Sequence, residues 1–379
     1  MTVPCSNTTP YPQVGDGSEC VRCGWTASAH PKGPAIPPRL LVLRALGLGD
    51  LLTAVPALRA LRRAHPGHEL VLAAPARTAE AAAATGAVDR LLPTTAAGRA
   101  VPARIEWAGP PPDIAVDLHG NGPPSHLLLA TLQPGRLLAY AHPDTPWITG
   151  PAWRADEHER PRWCRLLTWY GIPADPDDLR IPAPEAPSSA PGCVVVHPGA
   201  DSAARRWPAE RFAAVARGLR AAGHRIVVTA GAGEGRLGHE VARQAGLPSD
   251  DVLGGEDDVP FSRLAALVAH ARAVVVGDTG LGHLATALGT PSVVLFGPVS
   301  PRLWGPPPSP MHRVLWHPDE GDDDVRPGDP HGDRPDERLL RITVHEVLDA
   351  LERLPQRQPS GPPDDRPSAP RVRMAEGRL

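Results

Sequence analysis

The chain has 379 residues, of which 41% are hydrophobic and 21% charged, and its net charge is −3 with histidine neutral. This length exceeds what one hydrophobic core organises and predicts two domains, while the weak charge removes the electrostatic footprint expected of a nucleic-acid partner. No apolar run approaches the ~20 residues of a membrane-spanning helix, and the N-terminus lacks an apolar signal core, so the expected location is cytoplasmic. Lys32 is the only lysine and there are 49 prolines; arginine, alanine and proline are favoured so generally that any single one of them carries little weight.

Residues 1–37 are rich in Pro, Ser, Thr and Gly without periodicity and read as a disordered extension. Cys20 and Cys23 have the two-residue gap of a zinc knuckle, and Cys5 with His30 would complete four ligands. No second closely spaced pair accompanies them, which favours the disordered reading. Cys164 and Cys193 stand alone and are expected to be buried thiols.

Order begins abruptly at Arg39. Arg39–Arg44 reads as a strand, residues 45–49 as a glycine loop, and Asp50 onward as a helix whose regular part starts near Thr53, because Pro56 would interrupt an earlier start. Further strands are predicted at 69–73, 88–92, 113–118 and 136–140, separated mostly by helical patterns, and a helix over 153–170. Strands alternating with helices predict a parallel sheet wound on both faces. The first domain is thus expected over 38–172 and a proline-rich linker over 173–191. The second domain, 192–354, repeats the alternation, with strands at 193–196, 225–229, 273–276 and 292–296 and helices at 208–222, 234–245, 261–271 and 344–354. Residues 355–379 read as a disordered tail, and Asp319–Asp324 as a solvated acidic loop.

The stretch Ala273-Val-Val-Val-Gly-Asp-Thr-Gly-Leu-Gly-His-Leu-Ala-Thr-Ala-Leu-Gly289 holds the densest chemistry. An apolar strand breaks into small polar residues, and helical spacing resumes at Leu281, Leu284, Ala285 and Leu288 before Gly289. The free N–H groups and positive dipole end of that helix suit a diphosphate. Asp278, Thr279 and His283 gather there, with Thr279 and His283 on one side of the first turn; the competing reading is an ordinary capped loop. Ligands in open α/β sheets sit beyond the strands' C-terminal ends, so one cleft would be lined by residues 47–50 and 278–283. Neither glycine loop has the dinucleotide or Walker spacing, which disfavours a nicotinamide dehydrogenase or an NTPase.

Three stretches in order, Arg44-Ala-Leu-Gly-Leu-Gly-Asp-Leu-Leu-Thr-Ala-Val-Pro-Ala-Leu58, His197-Pro-Gly-Ala-Asp-Ser-Ala-Ala-Arg-Arg-Trp-Pro208 and Asp278-Thr-Gly-Leu-Gly-His283, with Phe296-Gly-Pro-Val-Ser-Pro301 behind the last, resemble the signatures of glycosyltransferase family 9. The heptosyltransferases of bacterial lipopolysaccharide synthesis belong to that family, and the resemblance covers residues 39–350. It implies the GT-B fold, two doubly wound Rossmann-like α/β domains facing across a cleft. It further implies a nucleotide-diphosphate sugar such as ADP-heptose on the C-terminal domain, a saccharide, glycolipid or natural-product hydroxyl on the N-terminal domain, and inversion without metal or cofactor. A lipid-linked acceptor would bring peripheral membrane contact.

Asp50 matches the family's catalytic base, a role that inverting transfer requires for the attacking hydroxyl; its other reading is a helix cap. Thr279, Gly280 and the helix N-terminus would take phosphate oxygens, while His283 donates to them or places Asp278, which would face donor-sugar hydroxyls. Arg205 stands where the family usually has lysine and would clamp phosphate without shuttling a proton; Arg206 beside it reads as surface. Glu234 matches an acidic position assigned to the ribose, against a plain helix-terminal Glu. Gly49, His119 and Asn121 fall on the acceptor side, where His119 and Asn121 would read acceptor hydroxyls or simply form a polar turn. A nucleotide-sugar epimerase or hydrolase on this frame would need a second acid/base pair, which is not visible, and a non-catalytic sugar-nucleotide-binding protein would not need Asp50.

Overall fold

The computed structural model describes residues 37–320 and 325–356. The N-terminal extension with Cys5, Cys20, Cys23 and His30, nearly all of the C-terminal tail, and Asp322–Asp324 therefore lie outside the described residues.

The first lobe is built from β1 (Arg39–Leu43), α1 (Leu48–Thr53), α2 (Val55–Ala64), β2 (Glu69–Ala74), α3 (Ala79–Ala84), β3 (Arg90–Pro93), β4 (Ile114–Asp117), α4 (Pro123–Ala130), β5 (Arg136–Leu138) and α5 (Glu159–Trp169). Its five strands run parallel in the order β3-β2-β1-β4-β5. Alternate residues of each strand face opposite sides, and both sides are apolar. Leu40, Val42, Leu70 and Leu72 pack with Leu58, Leu61 and Trp163 from α2 and α5. Leu41, Leu43, Val71 and Ala73 pack with Leu128 and Leu129 of α4. A buried leucine such as Leu58 contributes roughly 1.5–3 kcal/mol by its removal from water.

Two local expectations give way. Asp50 lies inside a short regular helix, α1, which ends at Ala54 so that α2 restarts with Pro56 in its first turn. A proline there forfeits no hydrogen bond, because the first N–H groups of a helix have no partner anyway. The helix expected over 153–170 begins only at Glu159, capped by the His158 side chain. The buried Arg162 guanidinium draws the carbonyls of Arg154 and Glu157 to itself, which holds the preceding segment out of helical register.

The second lobe comprises β6 (Val194–His197), α6 (Ala209–Ala221), β7 (Ile226–Ala230), α7 (Gly235–Ala245), β8 (Val252–Gly254), α8 (Phe261–Ala269), β9 (Ala273–Gly277), α9 (Gly280–Leu288), β10 (Ser292–Leu295), α10 (Pro301–Trp304), β11 (His312–Leu315), α11 (Glu337–Arg341) and α12 (Val344–Glu352). Six parallel strands run in the order β11-β10-β9-β6-β7-β8. One face carries Val194, Val196, Ile226, Val228 and Val275 against Phe212, Val241 and Val347. The other carries Val195, Val227, Val274 and Val276 against Leu267, Leu281 and Leu284. The short edge strands β8 and β11 escaped the sequence reading because neither has enough apolar residues to register as a run. Two doubly wound parallel sheets in one chain are the GT-B arrangement.

Candidate active site

In both lobes the loops at the strands' C-terminal ends lead into helices that begin on glycine or threonine, α1 after Gly47 and α9 after Thr279. These two helix starts touch. A Cβ added to Gly49 would lie 2.8 Å from His283 Cδ2 and 3.2 Å from Gly280 Cα, and one added to Gly280 would lie 3.2 Å from the Gly49 nitrogen. Both positions are glycine because two backbones meet there, and that contact brings Asp50 and the 278–283 loop to one place.

Asp50 is buried, and its carboxylate is held bidentately by Arg99, Nη2 to Oδ1 at 2.8 Å and Nη1 to Oδ2 at 3.1 Å. Arg44 Nη2 stands 3.6 Å from Oδ1. Burial alone would raise this carboxyl, but Arg44 and Arg99 together outweigh it and hold the carboxyl below its ordinary value. Arg44, itself buried, also donates to the Asp50 carbonyl at 3.0 Å, to the Leu118 carbonyl and to Glu159 Oε1 at 2.9 Å. Glu159 in turn accepts from Trp163 Nε1 at 3.0 Å and from Arg162. Buried charges are tolerable only when paired, and here Asp50 rests on a compensated network that reaches from β1 to α5.

On the facing loop, Asp278 is buried and its carboxyl is raised by that burial, with Arg205 opposing. Arg205 Nη1 donates to the Asp278 carbonyl at 3.3 Å and lies 4.0 Å from its Oδ2; Nη2 reaches the exposed Asp201 at 3.5 Å. Arg205 Nε and Thr279 Oγ1 are both buried without a hydrogen-bond partner. The Thr279 side chain makes no cap bond to α9, which leaves the first N–H groups of that helix unmet by it. His283 packs edge-on to Trp304, ring centroids 5.9 Å apart, and burial depresses it to about 4, so the ring is neutral.

Glu234 ends the β7 loop, with Oε2 accepting from Gly231 N at 3.0 Å and Oε1 3.7 Å from Arg206 Nη2. Its carboxylate rests against the Cα of Gly199, where any side chain would collide with it. Arg206 lies at the surface, its side chain 41% exposed, but is anchored there: Nε and Nη2 both donate to the Ala200 carbonyl, at 2.9 and 2.7 Å. Beyond Glu234 a cavity of about 610 Å³ opens at the ends of β7 and β8, lined among others by Arg236, His239, Asp257, Asp258 and Arg263. Asp258 accepts from Ala232 N at 2.9 Å, so the two loops are tied together. Among the described residues there is no group of three or more His, Cys, Asp or Glu able to hold a metal ion.

His119 and Asn121 lie half-buried on the loop after β4. Asp117, fully buried below them, turns that loop by accepting from the His119 and Gly120 nitrogens at 2.9 and 3.2 Å. His119 Nδ1 is buried without a hydrogen-bond partner, and so are Asp117 Oδ2 and His126 Nε2, which stand 3.7 Å apart. The structure thus gathers Gly49, Asp50, Gly280 and His283 at the contact between the lobes, with Asp278 and Thr279 on the loop beside it and Arg205 reaching that loop from the segment after β6. Glu234 sits two strands away from β9, on the loop after β7.

Arg44, Arg99, Glu159 and Trp304 were not singled out from sequence. Arg44 stood inside a quoted stretch, but Arg99 lies in an irregular segment, and nothing in its neighbours marks it out among so many arginines.

The fold is that of a two-lobed GT-B protein. Residues 172–328 match the model of glycosyltransferase family 9 (heptosyltransferase). Lipopolysaccharide heptosyltransferase 3 of Escherichia coli is 31% identical over 163 residues, 42% of this chain and 46% of the relative. Lipopolysaccharide heptosyltransferase 2 of Salmonella typhimurium is 34% identical over 163 residues, 41% of this chain and 45% of the relative. The chain therefore matches a little under half the length of these relatives. In structure, the E. coli ADP-heptose lps heptosyltransferase II overlays with a TM-score of 0.65, covering 83% of this chain and 98% of that one at 21% identity, a likeness of fold. Among the described residues no helix is long and apolar enough to cross a membrane.

Proposed function

We propose that the protein is an inverting glycosyltransferase that moves a sugar, heptose or a close relative, from a nucleoside-diphosphate donor to a hydroxyl of a saccharide, glycolipid or natural product. The observation that carries this reading is the pairing across the lobe contact of one ionised, buried carboxylate, Asp50, with an anion-ready site in which Thr279 Oγ1, on the loop after β9, and Arg205 Nε, on the segment after β6, lack partners. Asp50 takes the proton of the acceptor hydroxyl as its oxygen attacks the anomeric carbon. The bond to the diphosphate breaks on the opposite face, so the configuration inverts. The leaving diphosphate is met by Thr279, the N–H groups at the start of α9 and Arg205.

The strand order supports the placement of the rest of the donor. From β9 the sheet continues through β6 and β7 to β8, three steps of ~4.8 Å, which is the reach of a nucleoside diphosphate. The diphosphate would lie on the β9 loop, the ribose on Glu234 and the base in the cavity beside β8. The family-model match over residues 172–328 supports a nucleotide sugar, and the name of the E. coli structural relative favours ADP-heptose. The acceptor lies on the loops bearing Gly49, His119 and Asn121, and transfer needs no metal because Arg205 and the start of α9 supply the positive charge at the diphosphate.

The deciding experiment incubates the protein with ADP-heptose or another nucleotide sugar and a panel of acceptors, and determines the anomeric configuration of the product by NMR. A retained configuration, or no transfer from any donor that binds, would sink the reading.

A further inference from the structure

Arg99 belongs to no helix or strand, yet it reaches into the centre of the cleft. Its guanidinium closes the bidentate pair with Asp50, and its Cζ lies 5.8 Å from the ring centroid of Trp304 in the other lobe. Its charge opposes the burial-driven rise of the Asp278 carboxyl, and Asp201 on the donor side helps to hold Arg99 itself charged. The side chain is 50% exposed, against 7% for the Asp50 partner, so it approaches the carboxylate from the open cleft.

The pair is a poor state for chemistry. A carboxylate with one lone pair of each oxygen taken by a guanidinium, and its proton affinity lowered by that cation, is a weakened base. A diphosphate entering the same cleft brings two or more negative charges close to Asp50, Asp278 and Asp201. On the donor lobe, Arg205 is the cation at that loop, and it is already shared between Asp201 and Asp278. Both difficulties are removed by one movement. We propose that Arg99 is a second leaving-group cation, delivered from the acceptor lobe: on donor binding it exchanges the Asp50 carboxylate for diphosphate oxygens, which neutralises the leaving group and releases the base in the same step. No bond other than hydrogen bonds changes in the exchange, and Arg44 remains beside Asp50 to keep it ionised.

This inference rests on the glycosyltransferase reading and adds an order of events to it: donor first, base freed second. It is tested by calorimetric titration of ADP, UDP and GDP into the full-length protein in EDTA, followed by a double-mutant cycle with the diphosphate that binds best. Arg99→Ala should weaken that diphosphate by about tenfold or more, the loss expected for hydrogen bonds to a charged group. Asp50→Asn should tighten it severalfold, because the competing partner is gone, and most of that gain should vanish when Arg99→Ala is also present. Unchanged thermal melting of the half-exposed Arg99→Ala variant separates this from misfolding. Diphosphate affinity within twofold of the wild type in Arg99→Ala, or additive effects in the cycle, would overturn the exchange while leaving the glycosyltransferase reading standing. Failure of the wild type to bind any nucleoside diphosphate would remove both.

Discussion

The two helix starts that meet in the cleft are alike in backbone and opposite in electrostatics. At α1 the polar groups are saturated: Asp50 has Arg99 on both oxygens, and Arg44 is bonded on all sides, down to Glu159 in α5. At α9 they are not, since Thr279 Oγ1 and Arg205 Nε are buried without partners. Buried polar groups in folded proteins are normally satisfied, and a pair of orphans on neighbouring loops, Thr279 after β9 and Arg205 after β6, marks where something else is meant to bind. A saturated side keeps a charge in a defined state, and an unsaturated side waits for a ligand.

That contrast can be broken from either end. The largest effect is expected from Asp50→Asn, which keeps the shape and removes the proposed base: turnover should drop by roughly 10²–10⁴ with folding retained, and near-normal turnover would remove Asp50 from the mechanism. Arg205→Ala comes next. It should weaken nucleoside-diphosphate binding and lower turnover together, by roughly a hundredfold in kcat/KM, whereas Arg205→Lys keeps the charge and should recover much of the loss. Steady-state kinetics with varied donor distinguish the two, and an inert Arg205→Ala would show that the leaving group is stabilised elsewhere.

A subtler change attacks the contact itself. In Gly49→Ala the new methyl would meet His283 Cδ2 at 2.8 Å and the Gly280 backbone at 3.2 Å, and backbone cannot step aside as a flexible side chain does. The strain, about 1–3 kcal/mol, should appear as a lower melting temperature and a slower enzyme, and a variant as stable and active as the wild type would mean that the lobes need not approach this closely. Legibility in the sequence varied along this same contact. The residues Gly49, Asp50, Gly280 and His283 could be picked out one by one, because glycine loops before helical spacing have a recognisable pattern. Their mutual contact could not, because no periodicity records which loop of one sheet faces which loop of another.

The pH response sharpens the comparison further. Burial depresses His126, His283 and His312 to about 4 from an ordinary 6.5. The unfolded chain therefore binds more protons than the folded one between those values, so stability should decline as pH falls from 6.5 toward 4. Calorimetric melts across that range check the sign, and a melting temperature that rises on acidification would contradict neutral imidazoles at these sites. The smallest effect is expected from a chelator: with charge compensation assigned to Arg205, Arg99 and the start of α9, transfer should proceed at full rate in excess EDTA. A rate that collapses and returns with Mg²⁺ or Mn²⁺ would transfer that role to a cation.

Sequence alone determined the doubly wound architecture, since strand and helix periods alternate twice along the chain with a proline-rich interval between them, and period and punctuation are local properties. It also pointed to the β9 loop and the β1 loop as candidate places for chemistry, because small and polar residues at the C-terminal ends of apolar strands suit a ligand's approach. Only the tertiary structure decided that Asp50 is clamped by Arg99, that Arg206 is bound to the loop beside Glu234, and that Glu159 in α5 supports Arg44 from 115 residues away. These are long-range pairings of charges in a chain where arginine is everywhere. Charge–charge contact depends on distance in space and on desolvation, neither of which leaves a mark on the residue's neighbours in sequence.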